Sequence, residues 1–420
     1  MPTEPLSEEQ QEIRGLIREL ARERIAPRAA EIDKSAEFPW DVVEVFREHG
    51  IFGVLHDEEY GGLGASALMT LVAIEEVSKV CATSGLIIAV QELGSLGIKL
   101  AGTDEQKQRF LPKLASGEWL GAYALTEPGS GSDSAAMRSE ARLDGDEYVV
   151  NGRKYWPCNV GGWDNQGADL NLVVVRTDTH SGGTSGLSAL IVERGTPGIT
   201  YNSISTSGQR LAPNCEMIFD NARVPAANFL EGTRGNGDLL INRNFAWSGP
   251  VAGIAAVGVA RAAYEDALDW AKTYTAGGAN PIINFQYPGY VLGDVAAKIE
   301  AARYFCWKGA HYIDQHDYHG EMIGAMNKVL CTEMMLDCVY KCMQVVGVNA
   351  VDKKHMFERY LREASILPLY DGGNFGMQRR RVHGVMADPS FNPRAIVDND
   401  AIEFTKAMEG IDTVPGHMAD

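Results

Sequence analysis

A glycine-rich segment and a tryptophan that follows it have the composition of a ligand-binding site. Residues 123–133 read Tyr-Ala-Leu-Thr-Glu-Pro-Gly-Ser-Gly-Ser-Asp. Glycines in such a segment let backbone N–H groups approach a ligand closely, and Thr126 adds a hydroxyl group. Trp156 supplies a large, stiff apolar surface. Taken alone, residues 126–133 could equally form a surface turn, and Trp156 could equally be a core residue. The elements around them must therefore be considered.

The hydrophobic pattern of the chain changes twice. From Ser7 to about residue 116 apolar residues recur at helical spacing, and Ser7–Gln10 and Thr103–Gln106 both match a capping box. From about 120 to 234 short apolar runs are bounded by Gly, Asp, Asn and Pro, which predicts a β-domain. Long helices rich in Ala, Leu, Ile and Met follow. The predicted strand runs are 147–150, 170–175, 187–192 and 216–219, and the predicted long helices are 238–274, 286–318, 321–346 and 353–366.

This order predicts an α+β fold with an N-terminal α-helical domain (1–119) and a central β-barrel or β-sandwich domain (120–234). A C-terminal four-helix bundle (235–387) and an extension (388–420) complete the chain. The bundle helices are so apolar that we expect them to bury surface between subunits as well. The pattern in the extension is too weak to name a helix there.

The composition excludes several classes of protein. The chain has 420 residues, and 38 Lys and Arg against 56 Asp and Glu give a net charge of −18. So acidic a chain does not favour nucleic acid or an anionic membrane surface as its main partner. We also expect no membrane span, no secretory signal and no metal site. Seven scattered cysteines are typical of buried thiols in a reducing, cytoplasmic compartment.

Five segments in the same order resemble motifs of the acyl-CoA dehydrogenase family. One such motif alone is weak, whereas five in register are specific, and the resemblance covers about residues 6–386. The segments are Thr-Glu-Pro-Gly-Ser-Gly-Ser-Asp (126–133), Asn-Gly-Arg-Lys-Tyr-Trp (151–156), Phe-Asp-Asn-Ala-Arg-Val-Pro (219–225), Pro-Ile-Ile-Asn-Phe-Gln (281–286), and Arg-Glu-Ala-Ser-Ile (362–366) leading into Tyr-Asp-Gly (370–372).

The resemblance implies that the chain binds FAD, held partly by a neighbouring subunit. Cys158 stands where the family has a Thr or Ser, which replaces a hydroxyl donor with a weak one. Residues 344–349 keep the Gln and the first Gly of the corresponding motif but lose its second Gly. The residues implied to contact FAD are Tyr123, Leu125, Thr126, Gly131, Ser132, Trp156, Cys158, Phe285, Gln286, Gln344 and Gly347.

The implied reaction is α,β-dehydrogenation of an acyl-CoA thioester. In the family a carboxylate removes the α-proton while a hydride leaves the β-carbon for flavin N5. Asp371 stands in place of the usual Glu and is one methylene shorter, which retracts the carboxylate by roughly 1.5 Å. Glu92, in a segment that resembles the acyl-pocket loop, is the alternative base. The third alternative is that the base is neither Asp371 nor Glu92. The residues implied to contact substrate are Ser132, Glu92, Arg243, Tyr370 and Gly372.

The departures from the family pattern predict an unusual substrate. Gly249 stands where the family has an Arg near the base, and Arg243 is a possible substitute. Together with Gly373 and the shorter base, Gly249 favours a wide cavity and hence a cyclic or branched acyl-CoA. We expect a homotetramer or homodimer that passes electrons to an electron-transfer flavoprotein or a similar acceptor.

Two other functions fit the same sequence. One is a flavin oxidase or monooxygenase on the same scaffold, because nitroalkane-oxidising relatives also use an Asp base. The other is a non-catalytic partner subunit of a hetero-oligomeric dehydrogenase, which the altered FAD contacts favour. Trp156, the segment 126–133 and an acidic residue at position 371 oppose this second alternative.

Overall fold

The computed structural model describes residues 6–157, 168–181, 183–210 and 214–402. It confirms the predicted fold class, because helices, a curled sheet and a second set of helices follow one another along the chain. The helices are α1 Glu8–Leu20, α2 Ala29–Ser35, α3 Trp40–Glu48, α4 Ala67–Val80, α5 Ala82–Ala101, α6 Asp104–Ala115, α7 Gly237–Thr273, α8 Gln286–Gln315, α9 Glu321–Val346, α10 Phe357–Ile366, α11 Arg379–Ala387 and α12 Arg394–Asp398.

Both predicted capping boxes are present. The Ser7 hydroxyl accepts from the Gln10 N–H, and the Gln10 side chain accepts from the Ser7 N–H. Thr103 and Gln106 make the same pair of bonds at the start of α6. The Gln106 side-chain amide also donates to the backbone oxygens of Ala227 and Phe229. The second cap therefore anchors the first helical domain to the sheet domain.

The central domain contains one sheet, which has seven strands in the described residues. Strand β3 pairs antiparallel with β2 and β7, whereas β1 runs parallel to β4. Sequence patterns predicted the more apolar runs and missed β1, β2 and β6, because β1 has only four residues and β2 buries one residue of five. The strands are β1 Gly121–Ala124, β2 Glu140–Asp144, β3 Glu147–Tyr155, β4 Leu170–Arg176, β5 Leu187–Glu193, β6 Ile199–Ile204 and β7 Asn214–Pro225.

Helices α7 and α9 lie in backbone contact and run in the same direction. A Cβ atom built on Gly249 would lie 2.1 Å from the Gly324 backbone oxygen, and one on Gly253 would lie 3.2 Å from the Cys331 Cβ. Gly249 is therefore needed for close helix packing. The expectation that this glycine widens a ligand cavity is wrong.

Two helices are long and apolar enough to cross a membrane by length and composition alone. They span Ala82–Ala101 and Leu240–Thr273. In the fold, 72% of the most apolar 18-residue stretch of the first helix is buried. For the second helix the buried share is 94%. Their apolar surface is thus covered by other elements of the chain, as in the core helices of globular proteins.

We expect Gly249→Ala to lower the free energy of unfolding by about 1–3 kcal/mol, because the new methyl group forces α7 away from α9. Gly293→Ala, on the exposed face of α8 where a Cβ meets no atom within 4 Å, is the matched control. It should instead stabilise the helix by about 0.5–1 kcal/mol. Denaturant unfolding of both variants measures the difference, and equal effects would contradict the packing role of Gly249.

Candidate active site

Asp371 lies in a left-handed turn shortly after α10. Its φ is 54°, that of Gly372 is 65°, and a Cβ atom on Gly372 would lie 2.5 Å from the Met377 sulfur. A side chain at position 372 is thus disfavoured twice, by backbone conformation and by space. The Gln378 side-chain amide donates to the Asp371 backbone oxygen over 2.9 Å. The turn therefore presents the Asp371 carboxyl group in a fixed direction.

A buried lysine of α9 holds this turn in place. Lys328 is fully buried and donates to the Leu367 backbone oxygen over 2.5 Å and to Asn374 Oδ1 over 3.2 Å. Its Nζ also lies 5.6 Å from the centre of the Tyr370 ring. The Asn374 amide nitrogen in turn donates to the Thr332 hydroxyl over 2.9 Å. Sequence reasoning missed Lys328, because a single Lys in a helix gives no sign that it is buried.

The surroundings of Asp371 raise the pKa of its carboxyl group. Burial is the largest cause, because it disfavours the charged form. The positive charges of Lys328 and Arg381 and the nearby Ser248 hydroxyl act in the opposite direction but do not cancel the effect of burial. A carboxyl group of this kind can take up a proton nearer to neutral pH than an exposed Asp.

One face of α7 carries polar side chains toward this carboxyl group. Trp247 and Ser248 follow Asn244 by three and four residues, and Val251 follows them by four and three, which places the four residues on one side of the helix. Ser248 lies close enough to Asp371, and Asn244 to Tyr123, for each to lower the pKa of its neighbour. Within the described residues their polar atoms nevertheless complete no hydrogen bond. Such atoms are typically satisfied by water or a bound ligand.

The segment 126–133 is held rigid by a buried ion pair. Glu127 accepts from Lys154 Nζ over 2.7 Å and from the backbone N–H groups of Arg138 and Ser139. Burial alone would raise the pKa of Glu127, but Lys154 and the amide donors outweigh it and the pKa is lowered. Lys154 also donates to the Leu125 backbone oxygen. The pair thus fixes the backbone on which Leu125 and Thr126 lie.

Trp156 lies on an open surface beside this segment. The φ of Trp156 is 69°, and its side chain is 47% exposed. Its backbone N–H donates to the Cys215 backbone oxygen. The preceding Tyr155 N–H donates to the Thr126 backbone oxygen over 2.7 Å. Trp156 is therefore not a core residue. The exposed indole, one residue after the backbone contact with Thr126, fits a flat aromatic group such as a flavin. Cys158 lies outside the described residues.

Loop 126–133 meets the turn that carries Asp371. Arg380 donates to the Ser132 backbone oxygen over 3.2 Å, and a Cβ atom on Gly376 would lie 3.2 Å from the Ser132 hydroxyl. Leu125 packs in one apolar cluster with Phe245 of α7 and Met377. Gly131 is exposed, and a Cβ atom there would meet nothing within 4 Å. The fold thus brings together Tyr123, Leu125, Thr126, Gly131, Ser132, Trp156, Tyr370, Asp371 and Gly372.

Four other residues predicted to contact FAD lie at the opposite end of the bundle. Phe285, Gln286, Gln344 and Gly347 are all exposed. The Ile282 N–H donates to the Tyr274 backbone oxygen, so the segment before Phe285 packs at the end of α7. At 1.5 Å per residue, the C-terminal end of α7 is roughly 38 Å from Ser248. On α9, Gln344 is about 30 Å from Gly324, the residue of that helix that contacts Gly249. Within the described residues, the two sets therefore lie at different ends of the helical bundle.

Arg243 and Glu92 have surroundings different from that of Asp371. Arg243 lies on another side of α7 from Ser248, donates to Glu321 over 2.9 Å and contacts His319. Arg381, rather than Arg243, is the arginine whose charge acts on Asp371. Glu92 is buried on α5, 3.8 Å from His56, and burial raises the pKa of its carboxyl group to about 7. The described residues hold no cluster of His, Cys, Asp and Glu suited to a metal ion.

The helical, sheet and helical domains around this site have the fold of the acyl-CoA dehydrogenases. Three domain families match in order: the acyl-CoA dehydrogenase N-terminal domain (residues 7–118), middle domain (122–222) and C-terminal domain (235–386). The chain belongs to the acyl-CoA dehydrogenase family, whose members are FAD-dependent oxidoreductases.

Curated relatives cover most of the chain. The short-chain-specific acyl-CoA dehydrogenase of Clostridium acetobutylicum is 35% identical over 371 residues, which are 87% of this chain and 95% of that protein. The cyclohex-1-ene-1-carbonyl-CoA dehydrogenase of Syntrophus aciditrophicus is 36% identical over 377 residues, 88% of each chain.

Solved structures match with similar coverage. Nitroalkane oxidase, solved with the inhibitor spermine, superposes with a TM-score of 0.88 at 27% identity and covers 94% of this chain and 99% of its own. A chain from a study of the electron transferring flavoprotein of Acidaminococcus fermentans has a TM-score of 0.85 at 30% identity, with 91% and 99% covered.

We expect Lys328→Met to move the acidic limb of the pH–rate profile to higher pH. Removing the buried ammonium group raises the pKa of Asp371 further, so the carboxylate needed for proton removal is lost at a higher pH. The measurement is the rate of flavin reduction by an acyl-CoA as a function of pH. Lys298→Met, at the exposed Lys298–Asp337 ion pair, is the control. An unchanged midpoint in Lys328→Met would refute the electrostatic role.

Proposed function

We propose that this protein is an FAD-dependent acyl-CoA dehydrogenase in which Asp371 removes the α-proton of the thioester. The observation that carries the proposal is a carboxyl group with a raised pKa, held in a rigid turn and facing Ser248 beside the loop 126–133. FAD, when bound, supplies the acceptor for the hydride that leaves the β-carbon. Tyr123, Thr126, Ser132 and Trp156 would hold its ring.

The chain's own groups account for removal of the α-proton. Asp371 receives the proton, and its raised pKa makes it a stronger base than an exposed Asp. The backbone N–H of Asp371 is the proposed donor to the thioester oxygen, where negative charge develops. The Gln378 bond to the Asp371 backbone oxygen keeps base and donor in one fixed turn.

Asp371→Asn should lower the rate of flavin reduction by about 10²–10⁴-fold, the usual contribution of a general base. FAD should stay bound, because Asn keeps the size and shape of the side chain. Stopped-flow bleaching of the flavin with a panel of acyl-CoAs measures the effect, and Asp398→Asn on an exposed face of α12 is the control. Full turnover in Asp371→Asn would exclude it as the base, and a protein purified without flavin would support the non-catalytic alternative.

The FAD site is proposed to be completed by a second copy of the chain. Phe285, Gln286, Gln344 and Gly347 lie at the far end of the bundle, too far from Trp156 and Asp371 to reach the same cofactor within one chain. Large exposed side chains on α8 and α9, including Tyr287, Tyr290, Leu330 and Tyr340, support burial of this surface between copies. A homodimer or homotetramer would satisfy both observations.

Mixed oligomers test this sharing. Asp371→Asn removes a residue of one half-site, whereas Phe285→Glu removes a residue that the partner copy would supply. Neither variant alone should be active, but co-expression should restore activity, because every mixed dimer contains one site with both changes and one site with neither. Two separately tagged chains allow the mixed species to be purified and assayed. Mixed oligomers that remain inactive while both chains hold FAD would contradict a shared site.

A cyclic or branched acyl group remains the proposed substrate class. The shorter base supports it, since an Asp at position 371 leaves more space beside the turn for a ring or branch than a Glu would. The relative from Syntrophus aciditrophicus is named for a cyclic acyl-CoA, which also supports this class. An electron-transfer flavoprotein is the proposed acceptor, supported by the similar chain solved in a study of such a protein.

A nitroalkane oxidase is the second candidate function. Its solved structures include active-site mutants of an aspartate and of a serine, and another study concerns the roles of an arginine and an aspartate in its reaction. Asp371, Ser248 and Arg381 form a group of the same residue types here. Oxygen consumption with release of hydrogen peroxide on addition of nitroalkanes, with no flavin bleaching by acyl-CoAs, would favour this alternative.

A further inference from the structure

A cavity of about 540 Å³ lies outside the group of residues around Asp371. Helix α2, the loop between β6 and β7, the segment before α10 and the first turns of α10 surround it. Its volume falls within the range of roughly 300–1,000 Å³ that is typical of cavities for small molecules. None of the residues that line it in the described part of the chain is among those assigned above to FAD or to the substrate.

Arg362 joins three walls of this cavity. Its guanidinium group donates to both carboxylate oxygens of Asp33 on α2, over 2.9 and 2.7 Å, and to both of Glu358 on α10, over 2.7 and 3.0 Å. It also donates to the Ser207 backbone oxygen over 2.9 Å. A Cβ atom on Gly208 would lie 2.3 Å from the Arg362 backbone oxygen, so the loop between β6 and β7 packs directly on α10. The chain itself therefore fixes the shape of the cavity.

The remaining charges on the cavity wall are positive. The two carboxylates that Arg362 binds are the acidic groups of the described wall. Lys34, Arg210 and Lys353 line the same wall, and their side chains form no ion pair or hydrogen bond with another described residue. The chain as a whole carries a net charge of −18. Cations gathered in one concave site of so acidic a chain favour an anionic ligand.

Arg359 adds a buried cation to the wall. It is 4% exposed, and its Nη2 donates to the Val80 backbone oxygen over 3.2 Å. Its Nε and Nη1 complete no hydrogen bond within the described residues, and Nε lies 3.7 Å from Glu363 Oε1. Burial raises the pKa of Glu363 to about 7, so this carboxyl group compensates the guanidinium only in part near neutral pH. Donors buried so deeply normally have an acceptor, which indicates an anion at this wall.

A polyphosphate group matches these cations. The guanidinium groups of Arg210 and Arg359 can each donate two parallel N–H bonds to phosphate oxygens, and the two lysines supply compact positive charges. A single carboxylate would leave most of this positive charge uncompensated. The cavity is also much larger than one phosphate ion, and Ala30 and Met356 give its wall an apolar part for an uncharged group.

We propose that this cavity binds a nucleoside triphosphate through its polyphosphate group, at a site separate from those of FAD and the acyl-CoA. The inference goes beyond the proposed function and does not depend on it. Inorganic polyphosphate carries the same charged group, so the experiment must separate the two sources.

Calorimetric titration of the FAD-saturated protein with ATP, tripolyphosphate and adenosine tests the proposal. We expect ATP to bind and adenosine not to bind, because the phosphate groups meet the cations. ATP binding should weaken as the salt concentration rises. Tighter binding of ATP than of tripolyphosphate would support the nucleotide, whereas equal affinity would overturn that assignment in favour of a polyphosphate ion. A protein that binds neither would overturn the site itself.

Charge reversal on the accessible part of the wall locates the binding. Arg210→Glu and Lys353→Glu should each weaken ATP binding about tenfold or more, the effect of one lost charged hydrogen bond. Lys353→Arg should retain most of the affinity. Arg142→Glu, on an exposed face of β2, is the matched control and should bind ATP as the wild type does.

Unchanged affinity in both Arg210→Glu and Lys353→Glu would overturn the inference. ATP binding that saturating coenzyme A abolishes would place the nucleotide in the substrate site and overturn it too. Release of flavin on addition of ATP, measured by the visible spectrum after filtration, would place it in the FAD site with the same consequence. Failure of the proposed function is recognised separately, as wild-type flavin that no acyl-CoA bleaches.

Discussion

The contact between α7 and α9 determines where the candidate active site can form. Gly249 and Gly324 let the two backbones touch, so side chains of both helices reach the same turn. Ser248 approaches Asp371 from α7, and Lys328 holds the turn from α9. A side chain at either glycine would separate the helices. The geometry of the carboxyl group thus depends on two residues that make no contact with it.

Buried charge is the second constraint on the site, and the fold distributes it among several elements. Lys154 below the loop 126–133 and Lys328 behind Asp371 are both fully buried, and burial lowers the pKa of each to about 8. Each is retained because nearby carboxylates and backbone oxygens compensate it. Such arrangements are rigid, since moving either lysine would leave a charge without compensation. A rigid frame of this kind keeps a base in place while substrates exchange.

Most of the fold and part of the site could be predicted from the sequence. The long bundle helices and both capping boxes follow from local periodicity and from caps, which depend on residues close together in the chain. The strand β1 and the role of Gly249 could not be predicted, because they depend on partners far away in sequence. Motifs identified Trp156 and Asp371. Ser248 and Lys328 required the fold, since each gains its character from burial rather than from residue type.

The length of α7 has a consequence for how the protein gains and keeps its cofactor. The helix spans 37 residues, about 55 Å, and separates the two groups of residues proposed to contact FAD. If each flavin lies between two copies, the fraction of FAD that stays bound depends on the association of the subunits as well as on the binding of FAD itself. Newly made monomers would hold FAD weakly, and assembly and cofactor loading would become one cooperative event. Dilution would then release flavin and dissociate subunits together, so the cellular abundance of the chain would set the fraction that is active.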